Sequence, residues 1–176
     1  DDPASLPDSA ITALVRGGAN RIWVGTAASG VTRLDTQTGK FARFALPLGA
    51  SARNAREAIT ALSFDPGRGL WIGSRGGLGL LDPATSERRP FTAENSDLPI
   101  GLVHELLQTS DVSVWAASSS GLWRVARGSE HAEKIDAALL GEASSLFEGE
   151  DRTLYVGNEK GLYRIDPAIG KSRQIW

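Results

Sequence analysis

Cysteine is missing from this 176-residue chain. With it go disulfides, thiolate nucleophiles and cysteine-based zinc sites, while the redox compartment stays open. Methionine is missing too, position 1 included, as expected of a piece of a longer chain. Histidine occurs only at His104 and His131, so no histidine-rich metal spacing and no Ser/His/Asp order can be drawn, and no cofactor is expected. A basic excess is also absent. The net charge of −2 offers little to phosphates or anionic lipid, so nucleic acid and membrane surfaces are poor partners. No apolar run approaches the roughly 18 residues of a membrane span, so this segment is not expected to insert directly. Sustained helical periodicity is lacking throughout.

What remains is a globular composition, 41% hydrophobic and 23% charged, arranged as a repeat. Trp23, Trp71, Trp115 and Tyr155 anchor four similar phrases: Ile22-Trp23-Val24-Gly25, Leu70-Trp71-Ile72-Gly73, Val114-Trp115-Ala116-Ala117 and Leu154-Tyr155-Val156-Gly157. Nine residues before each anchor stands a leucine: Leu14, Leu62, Leu106 and Leu146. Twelve before stands Ile11, Ile59, Val103 or Ala143. After the anchor come Gly30, Gly77, Gly121 and Gly161, each followed by an aliphatic residue, then Phe44, Phe91, Ile135 and Ile175. The first repeat is displaced by one residue after its anchor. Length varies almost wholly between the last apolar position of one repeat and the first of the next.

Each repeat reads as four short strands, Ile11–Arg16, Arg21–Thr26, Gly30–Asp35 and Phe41–Phe44 in the first, set between Gly, Asp, Pro and Ser. The anchor phrases are apolar on consecutive residues. A strand with one wet face would alternate, so these must be buried on both faces, as when one four-stranded sheet stacks between two others. The expected fold class is all-β: a β-propeller with four consecutive four-stranded blades, part of a larger ring of about seven. Residues 1–10 form an inter-blade linker, and the blades are 11–44, 59–91, 103–135 and 143–176. The turns Asp35-Thr-Gln-Thr-Gly39 and Asp166-Pro-Ala-Ile-Gly170 use Asp to cap local amides and Gly for positive φ. Ala126 replaces that Asp in the third repeat, so its turn must be built differently.

Ile11-Thr12-Ala13-Leu14, Arg21-Ile22-Trp23-Val24-Gly25-Thr26, Gly30-Val31, Leu34-Asp35 and Thr38-Gly39-Lys40-Phe41 together resemble the two-component regulator propeller repeat. The linkers Asp2-Pro3-Ala4-Ser5-Leu6-Pro7-Asp8 and Glu94-Asn95-Ser96-Asp97-Leu98-Pro99 are similar to that family's linker. The resemblance covers essentially the whole chain and is weakest in the third repeat. It implies the periplasmic or extracellular sensor region of a bacterial membrane-bound signalling protein, a hybrid histidine kinase or a diguanylate cyclase. Such regions sense a ligand, often an oligosaccharide, and signal through dimerisation.

The residues themselves carry little chemistry. Glu148, Glu150 and Asp151 form an acidic turn, where a paired-carboxylate glycosidase site competes with a solvated turn, and the solvated turn is expected. Arg16-Gly17-Gly18 and Arg75-Gly76-Gly77 lack the strand–loop–helix context of a phosphate loop. His131 falls in an outer hairpin. His104 follows the first apolar residue of a first strand and is a candidate ligand contact, as is Trp123 in Gly121-Leu122-Trp123-Arg124. The variable loops 45–58, 92–102 and 136–143 lie on one face with the short loops at 27–29, 75–76, 118–120 and 158–160, and specificity in repeat proteins resides in such loops. The first variable loop carries Arg53, Asn54 and Arg56, suited to sugar hydroxyls or carboxylates. A non-catalytic sensor for a small molecule or oligosaccharide is the first reading. A catalytic propeller similar to the streptogramin lyases, resting on His104, is the second, and a protein-contact scaffold the third. Four blades alone would leave apolar outer faces, so further blades or self-association are the expected partners.

Overall fold

The computed structural model describes residues 5–44, 58–92, 96, 100–135, 141–166 and 171–176. Sixteen strands fill it, and no helix occurs among the described residues. The first sheet is β1 (Ile11–Arg16), β2 (Arg21–Thr26), β3 (Val31–Asp35) and β4 (Phe41–Phe44). The second is β5 (Ile59–Asp65), β6 (Gly69–Ser74), β7 (Gly77–Leu81) and β8 (Arg88–Pro90). The third is β9 (Val103–Gln108), β10 (Val114–Ser118), β11 (Gly121–Val125) and β12 (Glu133–Ile135). The fourth is β13 (Ser145–Glu148), β14 (Leu154–Asn158), β15 (Gly161–Asp166) and β16 (Lys171–Gln174). Every sheet is a four-stranded meander in chain order, joined by antiparallel pairs such as Trp23↔Arg33 and Trp115↔Arg124.

Two-sided burial of the second strand is observed directly. All six residues of β6 and all five of β10 are buried. The third strand of the first sheet starts at Val31, one residue later than its sequence suggests. Gly30 sits at φ 73°, and its carbonyl accepts both the N–H and the Oγ1–H of Thr26, so it belongs to the turn.

The turns follow their chemistry. Asp35 Oδ1 accepts the N–H groups of Gln37 and Thr38, and Gly39 takes φ 69°. In the second blade Asp82 plays the part of Asp35, and Ser86 takes the positive φ. In the third, Gly128 takes φ 74° and Ser129 replaces the missing Asp, bonding to the backbone of Ala126 and His131. The turn of the fourth repeat lies outside the described residues.

The chain divides into two compact units, Asp1–Arg75 with Gly79–Pro90, and Gly76–Leu78 with Phe91–Trp176. Unit 1 packs the first two blades around Trp23, Val31, Ile59, Leu62, Leu70 and Ile72. The two blades approach closely at Gly25, where an added Cβ would stand 2.6 Å from Ile59 Cγ2. Unit 2 packs the last two blades around Trp115, Ala117, Ala143, Leu146, Leu154 and Val156. Both cores use the same repeat positions. Side chains on the forward face of one blade, at the anchor and two residues after it, meet the first two strands of the next.

Candidate functional site

The polar residues of unit 2 gather where the third blade meets the fourth. His104 is the second residue of β9, an edge strand of its sheet. Its Nε2 lies 2.8 Å from Glu142 Oε1, an ion-pair distance once the imidazole is protonated. One residue on, Glu105 accepts the N–H of Leu146 at 2.7 Å. Just beyond the far end of β9, the N–H and Oγ–H of Ser110 donate to Glu148 of β13, at 2.8 and 2.7 Å. Three carboxylates thus tie the third blade to the fourth. Glu148 is therefore a clamp with both oxygens engaged.

Beside this junction runs the β10–β11 loop. The Ser120 hydroxyl donates to the Ile100 carbonyl and accepts the indole N–H of Trp123 at 3.1 Å. Ser118 Oγ lies 3.1 Å from Ser120 Oγ and donates to the Gly121 carbonyl. Ser119 Oγ accepts the N–H of Leu102, and Ser118 O accepts that of Ala143. The loop is thereby held on both sides. Lys160, in the equivalent loop of the fourth blade, brings Nζ to 3.7 Å from where a Cβ on Gly141 would lie.

A second constellation recurs in both blades of unit 2. Arg124 Nη2 lies 3.2 Å from Asp111 Oδ2, and Arg164 Nη2 lies 3.2 Å from Asp151 Oδ2. In each blade the Arg stands nine residues after the anchor and the Asp four before it. Burial works against ionisation of Asp111, but hydrogen bonds from Thr109 and Ser113 and the charge of Arg124 hold its carboxyl below the ordinary value. Hydrogen bonds from Thr153, aided by Arg164, lower Asp151 likewise. Arg124 also covers the Trp115 ring at 5.4 Å. This repeated Asp–Arg pair braces the turn before the second strand.

Of the residues singled out from sequence, Arg53, Asn54 and Arg56 lie outside the described residues. His104 is half-buried and paired with Glu142, and His131 is exposed. Trp123 is fully buried and reaches the loop only through its N–H on Ser120, so its ring presents no face to a ligand. Glu105 and Glu142 were not evident in the sequence. Glu105 replaces the small residues Ala13, Ala61 and Ser145 at the same repeat position, and that substitution is the signal that marks it. Among the described residues no cluster of three or more His, Asp or Glu side chains could hold a metal ion.

Meandering four-stranded sheets built on one repeated phrase and packed face to face within each unit are the blades of a β-propeller. The first of them carries the two-component regulator propeller repeat, since residues 5–28 match the family described as two component regulator propeller. The chain is similar in structure to the extracellular domain of a hybrid two-component system protein of B. thetaiotaomicron (21% identity, TM-score 0.77, covering 99% of this chain and 23% of that one). It is also similar to virginiamycin B lyase of Staphylococcus aureus (18% identity, TM-score 0.73, covering 98% and 57%). The computationally designed Ika4 protein aligns at 18% identity and TM-score 0.65, covering 94% of this chain and 99% of that one. The chain thus spans less than two thirds of the first two proteins' own length, and at these identities the likeness is one of fold. No curated protein matches the sequence.

Proposed function

We propose that the chain is a ligand-sensing segment of a bacterial membrane-bound signalling protein, standing on the periplasmic or extracellular side and performing no chemistry itself. The regulator propeller repeat at residues 5–28 carries this reading, supported by the likeness to a two-component system's extracellular domain. The ligand lies on the loop face of unit 2, where His104, Glu142, Ser119 and Lys160 offer donors, acceptors and both signs of charge on a braced frame. That mixture suits a hydroxyl-rich ligand such as an oligosaccharide. A thermal-shift screen against neutral and acidic oligosaccharides tests it. A ligand that raises the melting temperature should lose about tenfold in affinity, about 1.4 kcal/mol, on His104→Ala or Glu142→Ala. If Arg53→Ala/Arg56→Ala weakens it instead, the first variable loop is the site. A panel with no shift at all rejects the sensing reading for sugars.

A second reading is favoured by the lyase likeness together with the His104–Glu142 pair, which could serve as a general base and its orienting carboxylate. Incubation with a streptogramin B substrate, followed by chromatography, decides it. Turnover abolished by His104→Ala would replace the sensor reading, whereas intact substrate retires the enzymatic one.

A further inference from the structure

The Asp–Arg brace of unit 2 has a counterpart in unit 1 from which the acid is missing. Arg33 stands opposite the anchor Trp23, as Arg124 does opposite Trp115 and Arg164 opposite Tyr155. Its guanidinium lies over the Trp23 ring at 5.5 Å, and that of Arg124 over the Trp115 ring at 5.4 Å. The turn before the anchor is also shared. Gly17 N–H closes it on the Arg21 carbonyl in the first blade, Thr109 on Ser113 in the third and Gly149 on Thr153 in the fourth. In the third and fourth blades two acceptors of that turn receive the arginine. Arg124 Nη2 donates to Asp111 and Ser113, both at 3.2 Å, and Arg164 Nη2 donates to Asp151 at 3.2 Å and Thr153 at 3.1 Å.

In the first blade these two positions are Ala19 and Arg21. A methyl group stands in place of the carboxylate, and a second cation in place of the hydroxyl. Arg33 forms no ion pair among the described residues. Burial and the charge of Arg21 both work against its ionisation, and Asp35 offsets them only in part. Asp35 uses its Oδ1 on the amides of Gln37 and Thr38. The first blade thus holds a guanidinium in the posture that meets a carboxylate elsewhere, with no carboxylate to meet it.

Arg21 and Arg33 line an open cavity of about 360 Å³ together with Phe64, Asp65, Arg68 and Asp82. All six belong to unit 1, at the junction of its two blades. Arg68 is held over Trp71 at 4.9 Å. Asp65 caps its own turn through the N–H of Gly67, and Asp82 does so through that of Ala84. Asp82 is exposed and keeps Oδ2 for a hydroxyl donor. Three guanidiniums against two carboxylates suit a ligand with one negative charge and disfavour a polyanion. The half-buried Phe64 adds an apolar wall.

We propose that this cavity binds a small hydroxylated monocarboxylate of the uronic-acid type, its carboxylate held between Arg21 and Arg33 where the third and fourth blades place Asp111 and Asp151. Its hydroxyls donate to Asp82. The site shares no residue with the loop face of unit 2, so it does not depend on the sensing role given to that face.

Isothermal titration of the 176-residue protein with D-galacturonate tests it, with D-galactose as the neutral control. Galacturonate should bind about tenfold more tightly than galactose, or better. Arg33→Gln should weaken galacturonate by about tenfold or more. Ala19→Asp combined with Arg21→Ser rebuilds the brace of the third blade in the first. That variant should melt at a higher temperature than the wild type and no longer bind galacturonate, because the internal carboxylate occupies the ligand's place. Its melting temperature reports that it is folded, and circular dichroism does so for Arg33→Gln. No binding of galacturonate by the wild type, or equal affinity for the two sugars, overturns the inference. So does galacturonate binding that survives both variants. If His104→Ala then abolishes it, the acid sits on the loop face of unit 2, and this inference fails while the sensing reading stands.

Discussion

At the scale of the residue, the turn before the first, third and fourth anchors shows how one backbone shape is met by unlike side chains. Three residues before the anchor, Asn20, Val112 and Arg152 take φ of 56°, 66° and 63°. Asparagine tolerates this region, whereas a β-branched valine is strained there, at about 1–3 kcal/mol. Val112 is held by its N–H on the Thr109 carbonyl and by the bracing of Asp111 on either side. Replacing it as the first blade does, Val112→Asn, should stabilise the fold by about 1 kcal/mol. For a domain of this size the melting temperature should rise about 2–4 °C, and an unchanged or lower melting point would count against strain. The carboxylates of such turns also set the acid limit. Asp35, Asp111 and Asp151 all titrate below their ordinary value of 3.8 when folded. Hydrogen bonds from Thr38 dominate at Asp35. Because the unfolded chain binds protons more readily, their stabilisation is complete above that value and drains as pH falls below it. Melting curves from pH 7 to 3 should therefore steepen in acid. Asp111→Asn should lower the melting point at pH 7 and flatten the acid limb, and two parallel curves would refute the linkage.

At the scale of the element, the blade junction is the unit of stability. Gly25 and Ile59 form a matched pair, and Gly25→Ala should cost about 1–3 kcal/mol through overpacking. Combined with Ile59→Ala, the loss should be smaller than the sum of the two single losses, as a double-mutant cycle in urea would show. Strict additivity would mean that the two side chains do not compete for the same space. In unit 2 small side chains leave less apolar area at this point, and carboxylates contribute instead. Glu105 satisfies a backbone N–H of the fourth blade, so Glu105→Ala should cost about 1.5–3 kcal/mol, while Glu105→Gln, still an acceptor, should cost less. Equal losses for the two variants would show that charge, not hydrogen bonding, matters at that position.

At the scale of the whole molecule, each of the two units leaves large apolar side chains in solvent. Unit 1 exposes Ile11 and Leu14, and unit 2 exposes Phe147 and Leu162, an exposure that soluble proteins use for association. Self-association through such side chains should make the melting temperature rise with protein concentration, since association stabilises the folded chain by mass action. A melting point independent of concentration would speak for a monomer. Ligand binding at the loop face should add to that effect and not replace it, because the two surfaces share no residue.

The blades were legible from sequence because one physical demand recurs at fixed offsets. A strand buried on both faces needs consecutive apolar residues, and a close junction needs Gly or Ala two residues past the anchor. Asp-to-Gly turns announced the hairpin after Asp35, and even the altered turn after Ala126 was expected from the missing carboxylate. The site was less legible. His104 could be named, but its partner Glu142 is 38 positions away, and nothing in a single chain reveals which distant carboxylate will face it. Trp123 looked accessible by its place near a loop, yet the pleat of β11 turns its ring inward, so only its N–H reaches that loop. Gly25 and Ile59 are likewise set far apart in the chain. Local spacing determines strands and turns, since those depend on neighbours a few residues away. The clamps, the ion pair and the matched junctions within each unit were decided only by tertiary packing, because burial and partner choice depend on what another blade brings alongside.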